Sequence, residues 1–262
     1  MLNMLKKKFT QSYINFLKRE YIYFQKNKKL KVEFKSSNKI KRNYSQILQD
    51  IFVLTILDGK QKGTYVEIGS AHPIRINNTY LLEKYFNWKG LGYDINEHYV
   101  DIYKKHRVNK CKLQDALKAS FHEDFQENKL PKKIDYLQID IEPAKHSLEC
   151  LFLIPFDDYT FNVITFETEF YLEGDKFETL SREYLESKNY KQVFGRVSRL
   201  GKAYEDWYVH DSLYEKFSDL FDASSFKEVD IRTVFFKDYK LAKTHKIFGT
   251  IRNFFSFKDI YA

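Results

Sequence analysis

What this 262-residue chain lacks narrows its chemistry first. It has two cysteines, Cys111 and Cys150, far apart and without metal-ligand spacing. That argues against a disulfide framework or a zinc site, and for two plain thiols in a reducing, cytoplasmic setting. No apolar run approaches the ~20 residues needed to span a bilayer. No secretory leader is expected either, because Lys6, Lys7, Lys8, Lys18 and Arg19 interrupt the stretch where its apolar segment would lie. The glycine-rich fingerprint of a dinucleotide site is also missing: Gly69 closes the first strand-like run without the further glycines that cradle a pyrophosphate. Acids are scarce over residues 1–42, where thirteen Lys or Arg face only Glu20 and Glu33. The net charge of +8 is therefore carried by this stretch, and the remainder is slightly acidic. Phosphate-backbone binding needs cations around the site itself, so nucleic acid is not expected as a partner.

What is present supports a folded body. Hydrophobic residues make up 43% of the chain, with 24 Phe and 20 Tyr, enough for a substantial core in one large domain with appendages. Residues 1–43 read as a basic, largely helical extension and connector. Leu2, Leu5, Phe9, Phe16, Leu17, Tyr21 and Phe24 recur at near-helical spacing with lysines between. Such a helix either touches anionic lipid or a partner protein, peripheral to the inner membrane face, or packs its stripe on the body. Residues 44–232 form the body, and 233–262 an aromatic, basic cover or oligomer contact.

The body is organised around Tyr65-Val66-Glu67-Ile68-Gly69-Ser70, a strand that ends in a glycine turn where a ligand can approach the backbone. A second strand-like run, Gly90 to Tyr93, ends on Asp94-Ile95-Asn96. A carboxylate at this place grips a ribose through its hydroxyls. A ribose held without a phosphate cradle suggests S-adenosylmethionine. Asn77 is placed to cap a helix carrying Tyr80, Leu81 and Leu82, after a loop marked by Pro73. Asp115-Ala116 follows a third strand, where an adenine amino group would be read. The fourth strand ends on Asp140-Ile141-Glu142-Pro143 and the fifth on Glu167-Thr168-Glu169. Strands alternating with helices predict an α/β fold, a mostly parallel sheet with helices on both faces, closed by a hairpin over Tyr190 to Val197 and Ala203 to Val209. Ligands of such sheets bind at the carboxyl ends of the strands, where these acids fall.

Taken in order, Ser45-Gln46, Gln49-Asp50, residues 65–70, Asn77 to Glu83, Trp88-Lys89-Gly90, Asp94-Ile95-Asn96, Asp140-Ile141-Glu142 and Ser181 to Leu185 resemble the FkbM-type S-adenosylmethionine-dependent methyltransferases. The resemblance spans about residues 45–209. It implies a Rossmann-like class I methyltransferase fold and O-methylation of a sugar hydroxyl, most similar to bacterial members that act on polysaccharide building blocks, as for capsule or surface glycan. Two positions depart from the family pattern: Pro143 stands where Gly is common, and Thr168 where His often follows the fifth-strand acid. The identity of the base is therefore open.

The expected cofactor-binding set is Glu67, Gly69, Ser70, Asn78, Thr79, Asp94, Ile95, Asn96, Asp115, Ala116 and Asp140. A sugar hydroxyl needs a base or a divalent cation to attack a sulfonium methyl. Asp140, Glu169 and His72 are candidate catalytic groups, with His146 as a further histidine, and Asp140 with Glu167 a candidate Mg²⁺ or Mn²⁺ site. Gln49, Asp50, Glu142, Asp206 and Trp207 are candidate substrate contacts, with Trp207 either a plate for the sugar or a core residue. Two other classes stay open: a methyltransferase acting on RNA or protein, and a non-catalytic cofactor-binding module.

Overall fold

The computed structural model describes residues 30–199, 202–220 and 228–237. The helix expected over Leu2 to Phe24, with its lipid or partner contact, lies outside the described residues, as does most of the 233–262 segment. Among the described residues no helix is long and apolar enough to cross a membrane.

Alternation of side chains along β-branched and aromatic runs builds one eight-stranded sheet. Its strands are β1 (Thr64–Ile68), β2 (Lys89–Asp94), β3 (Lys110–Leu113), β4 (Lys133–Ile139), β5 (Thr160–Glu167), β6 (Tyr190–Arg199), β7 (Lys202–His210) and β8 (Val229–Asp230). They lie in the order β3-β2-β1-β4-β5-β7-β6-β8. The first five strands run parallel to one another, and β7 runs antiparallel between β5 and β6. This is the Rossmann-like sheet of class I methyltransferases, with the expected hairpin as β6–β7. The chain adds a short β8, parallel to β6, that the sequence pattern does not announce.

Because successive strand residues point to opposite faces, each strand feeds two cores. Tyr65, Tyr136, Val163 and Trp207 join α1 (Gln49–Ile56), α2 (Tyr80–Phe86) and α9 (Ile231–Phe235) on one face. Val66, Ile68, Leu137, Ile139, Ile164 and Phe166 pack on the other against α4 (Phe121–Glu127), α5 (Ala144–Leu153) and α7 (Lys176–Ser187). Helix α3 (Glu97–His106) covers the β2–β3 edge through Val100 and Tyr103, which meet Cys111. Short helices α6 (Phe170–Glu173) and α8 (Asp211–Tyr214) follow β5 and β7. A 3₁₀ turn, Glu215–Leu220, continues α8.

The boundary expected at residue 44 is not where the body begins. Leu30 pairs with Phe236, and the Lys31 amide donates to the Phe235 carbonyl. Leu30 and Phe34 are buried in the same core as Phe52 and Phe235. The apolar Leu30 and Phe34 are enough to dock a lysine-rich stretch whose charged heads stay in water. Truncating a packed Phe to Ala typically costs about 3 kcal/mol or more, whereas a linker residue would cost nothing. Phe34→Ala should therefore lower unfolding free energy by about 3 kcal/mol in urea titrations, and an unchanged midpoint would restore the linker reading.

Candidate functional site

Strand order reverses between β1 and β4, and the ends of these strands open the crevice in which such sheets take ligands. Gly69 holds a φ of 81°, and a Cβ there would fall 1.9 Å from the Asp140 carbonyl oxygen. The close approach of the β4 end is by itself enough to require glycine at this position. The Asp140 amide donates to the Ile68 carbonyl at 3.0 Å, so the two strand ends lie level. Ser70 is buried, its amide on the Tyr93 carbonyl and its hydroxyl on the Glu67 carbonyl.

At the tip of β2 the half-buried Asp94 accepts from the Ala71 amide at 2.6 Å and from the Asn96 amide at 2.7 Å. It joins the β1 turn to the β2 turn. Beside it Ile95 is 75% exposed, an apolar side chain with no core to fill. Asn96 caps α3 by accepting from the amides of His98 and Tyr99, which gives it a local task. Asp115 likewise accepts from the Leu117 amide and pairs with Lys118 at 3.1 Å. The Leu117 amide and Lys118 hold its carboxyl below the ordinary value. Ala116 is buried beneath that turn.

Glu67 does not reach the rim. As the alternate of Val66 it shares the face of Tyr65, where its carboxylate accepts from Asn77 Nδ2 at 3.3 Å and Thr79 Oγ1 at 2.9 Å. Burial pushes it up to about 7, against the opposing pull of Arg107. It holds the 70–79 loop from below. Asn77 caps α2 as expected, its Oδ1 accepting from the Tyr80 amide at 2.7 Å. Thr79 is buried in the same network, and Asn78 is buried with its Oδ1 lacking any partner.

A row of acids crosses the ends of β4, β5 and β7. Glu167 pairs in register with Glu205, and Asp140 follows Ile139, the partner of Phe166. Glu167 is 8% exposed and its Oε2 has no partner. Burial, then Asp140, drives its carboxyl well above the ordinary range. Glu205, which stands beside the candidates Asp206 and Trp207 in the same strand-like run, takes hydrogen bonds from Gln49 Nε2 and Trp207 Nε1, both at 2.7 Å. Burial, with Asp140 next, pushes it up to about 8. Alternation along β7 puts Glu205, two residues from Trp207, on the same face as Trp207. Glu142 is exposed, and its carboxyl is raised by partial burial and by Glu169 and Asp140.

Several expected roles are corrected here. Gln49 does reach the acid row, but its amide is used on Glu205 and the Ile47 amide. Asp50 is fully buried and accepts from the amides of Tyr44, Ser45 and Ile51 and from the Ser45 hydroxyl, so it organises its own turn rather than a substrate. Asp206 and Trp207 cannot form one wall, because adjacent strand residues face opposite ways. Asp206 is buried and accepts from the Arg196 amide, while Trp207 stacks on Phe52 at 4.5 Å in the core. His72 accepts from the amides of Ile74 and Arg75 and so closes a turn on the β1 side, away from the acid row. Glu169 sits at the row, but its Oε2 caps α5 through the Ala144 amide at 2.7 Å. Among the described residues no three His, Cys, Asp or Glu are gathered to hold a metal ion. Asp140 and Glu167, the pair expected to hold Mg²⁺ or Mn²⁺, therefore have no third such ligand beside them among the described residues.

The raised carboxyls predict how stability varies with pH. Glu205 ordinarily ionises near 4.5 but near 8 in the folded chain. Its contribution is fully present below about 4.5 and is lost as pH rises toward 8, at up to ~1.4 kcal/mol per pH unit. Glu67, Asp206 and Asp50, raised to about 7, 7 and 6 by burial, act with the same sign. Unfolding free energy should fall between pH 5 and pH 8. Glu205→Gln should flatten that slope while shifting the baseline, because an amide cannot accept from both Gln49 and Trp207. An equal slope in the variant would remove Glu205 from the account.

No protein-family model matches the chain, and none of the curated proteins does. Among solved structures, an rRNA methylase from Streptococcus thermophilus is similar at 10% identity, covering 62% of this chain and 94% of its own, with a TM-score of 0.43. An S-adenosylmethionine-dependent methyltransferase from Archaeoglobus fulgidus is similar at 19% identity, covering 58% and 75%, with a TM-score of 0.36. Magnesium protoporphyrin IX methyltransferase from Synechocystis PCC 6803, with its bound cofactor, is similar at 12% identity, covering 62% and 77%, with a TM-score of 0.39. The assignment of the fold rests on the strand order and directions of the chain itself.

Proposed function

We propose that the chain is an S-adenosylmethionine-dependent O-methyltransferase of the FkbM type, acting on a hydroxyl of a nucleotide-activated sugar or glycan unit. The observation that carries the reading is Asp94 at the tip of β2, beside the exposed Ile95 and across the β1–β4 crevice from Asp140. The buried, unpartnered Asn78 Oδ1 in the neighbouring loop supports it, since an orphaned carbonyl asks for a donor from a ligand.

In this reading Asp94 takes the ribose hydroxyls, Ile95 covers an adenine face, and the 70–79 loop receives the amino-acid end. The cofactor supplies an electrophilic methyl on sulfur when bound. The protein holds the acceptor oxygen in line with it, which accounts for much of the rate. Asp140 is the half-buried member of the acid row, and it takes the proton of the acceptor hydroxyl. Glu167 and then Glu205 follow it along the row as buried carboxyls whose raised affinity for protons keeps the row from carrying full negative charge.

The test is methyl transfer from labelled S-adenosylmethionine onto a panel of nucleotide sugars, with RNA as the competing acceptor and with and without Mn²⁺. Transfer to RNA alone would overturn the sugar assignment. Asp94→Ala should remove contacts of about 1.5–3 kcal/mol, raising the dissociation constant for the cofactor roughly 10- to 100-fold in calorimetry. Asp140→Asn should leave that constant in place and lower kcat. Unchanged affinity in the first variant, or unchanged kcat in the second, would strike the corresponding role.

A further inference from the structure

Arg107, just after α3, is 7% exposed although its charge is permanent. Its guanidinium is fully engaged. Nε donates to Glu83 at 2.8 Å, Nη1 to the Pro73 carbonyl and to Asn77 Oδ1 at 3.0 Å each. Nη2 donates to the Tyr65 hydroxyl at 3.0 Å and to Thr79 Oγ1 at 2.9 Å. The group also lies over the Tyr103 ring, 4.5 Å from its centre. A lysine has neither the planar fork nor the number of donors to reproduce this.

Three of the five acceptors belong to residues 73–79, the segment between the Gly69 turn and α2. That segment is strained: Ala71 and Ile76 hold φ values of 48° and 54°, and a β-branched side chain rarely adopts the latter. Within it Asn78 is 5% exposed, with Oδ1 bonded to nothing. A strained loop that buries an unpaired carbonyl needs support from outside itself, and Arg107 supplies it from the far side of α2.

We infer that Arg107 is a positioning residue for the cofactor site: it clamps residues 73–79 in the conformation that presents Asn78 Oδ1 to the ammonium-bearing end of the ligand. The inference rests on the S-adenosylmethionine reading. Glu67 acts from the opposite side, holding Asn77 and Thr79 through its carboxylate, so the loop is gripped between an acid of β1 and a cation after α3.

The experiment titrates S-adenosylmethionine calorimetrically into the full chain and its Arg107→Lys, Tyr65→Phe and Phe34→Ala variants, with amide hydrogen exchange of residues 74–79 in parallel. Arg107→Lys should weaken binding tenfold or more and speed exchange in the loop. Tyr65→Phe, which removes one acceptor, should do both to a smaller degree and decides the matter if Arg107→Lys does not fold. Phe34→Ala, which lowers stability without removing any hydrogen bond of the Arg107 network, should bind as the parent does. Parent-like affinity in the two network variants would overturn the inference, and so would equal weakening in Phe34→Ala, which would assign the effect to general destabilisation. A parent chain that binds no cofactor would overturn the functional reading, and this inference with it. Binding by the parent that is unaltered by Arg107→Lys overturns this inference alone.

Discussion

The structure depends on how closely the ends of β1 and β4 approach each other. The left-handed turn at Gly69 places its Cα against the Asp140 carbonyl, and the Asp140 amide reaches back to Ile68. Any side chain at position 69 would push these ends apart, because the contact is with backbone and cannot rotate away. With the ends level, the first residues beyond each strand share one rim. Asp94, Asp140 and Glu167 lie at the tips of β2, β4 and β5 for this reason, and the rim exists only while the register of β1 with both neighbours holds.

Carboxyls buried at and beneath such a rim are costly in water-poor surroundings. Glu67, Glu167 and Glu205 are all less than a tenth exposed, and their carboxyls are raised by burial before any other cause. Stability alone would favour apolar residues at such places. Glu67 and Glu205 are compensated by donors: Asn77 and Thr79 for the one, Gln49 and Trp207 for the other. Glu167 Oε2 is not, nor is Asn78 Oδ1 across the crevice. Both atoms leave hydrogen-bonding capacity unspent, as do Gln138 Oε1, Asn162 Oδ1 and the Gln192 carboxamide elsewhere among the described residues.

The layered fold was legible because the signals that carry it are local. Strand runs over 65–68, 90–93, 134–139 and 161–166 alternate with helical periods, and the observed ends fall within a residue or two of the expected ones. Asn77 as a cap was legible for the same reason. What was not legible depends on which face a residue takes once its strand is paired. Glu67 was read as a rim acid from its place before Gly69, yet the pleat turns it under the loop. Asp206 and Trp207 were read together from adjacency, which in a strand means opposite faces. Asp50 was read as reaching a site, whereas its four donors all come from residues 44–51. Residues 30–43 were read as a connector from their lysines, since two buried apolar residues carry little weight in composition.

Arg107 escaped the sequence reading for a deeper reason. It stands at the C-terminal end of a helix with Lys104, Lys105 and His106, where cations are expected for the helix dipole and signify nothing more. Only the return of the chain through β3 packs the end of α3 against α2 and the 70–79 loop, and only that packing gives the guanidinium its acceptors. A residue can therefore shape a site from more than ten positions beyond the last motif that defines it, through contacts that no spacing encodes. The three basic neighbours are exposed and make at most exchangeable ion pairs, as Lys104 does with Asp101. Arg107 alone of the four is withdrawn from water. Its burial is justified energetically by the completeness of its hydrogen bonds, and a complete set of that kind fixes a geometry rather than merely adding stability.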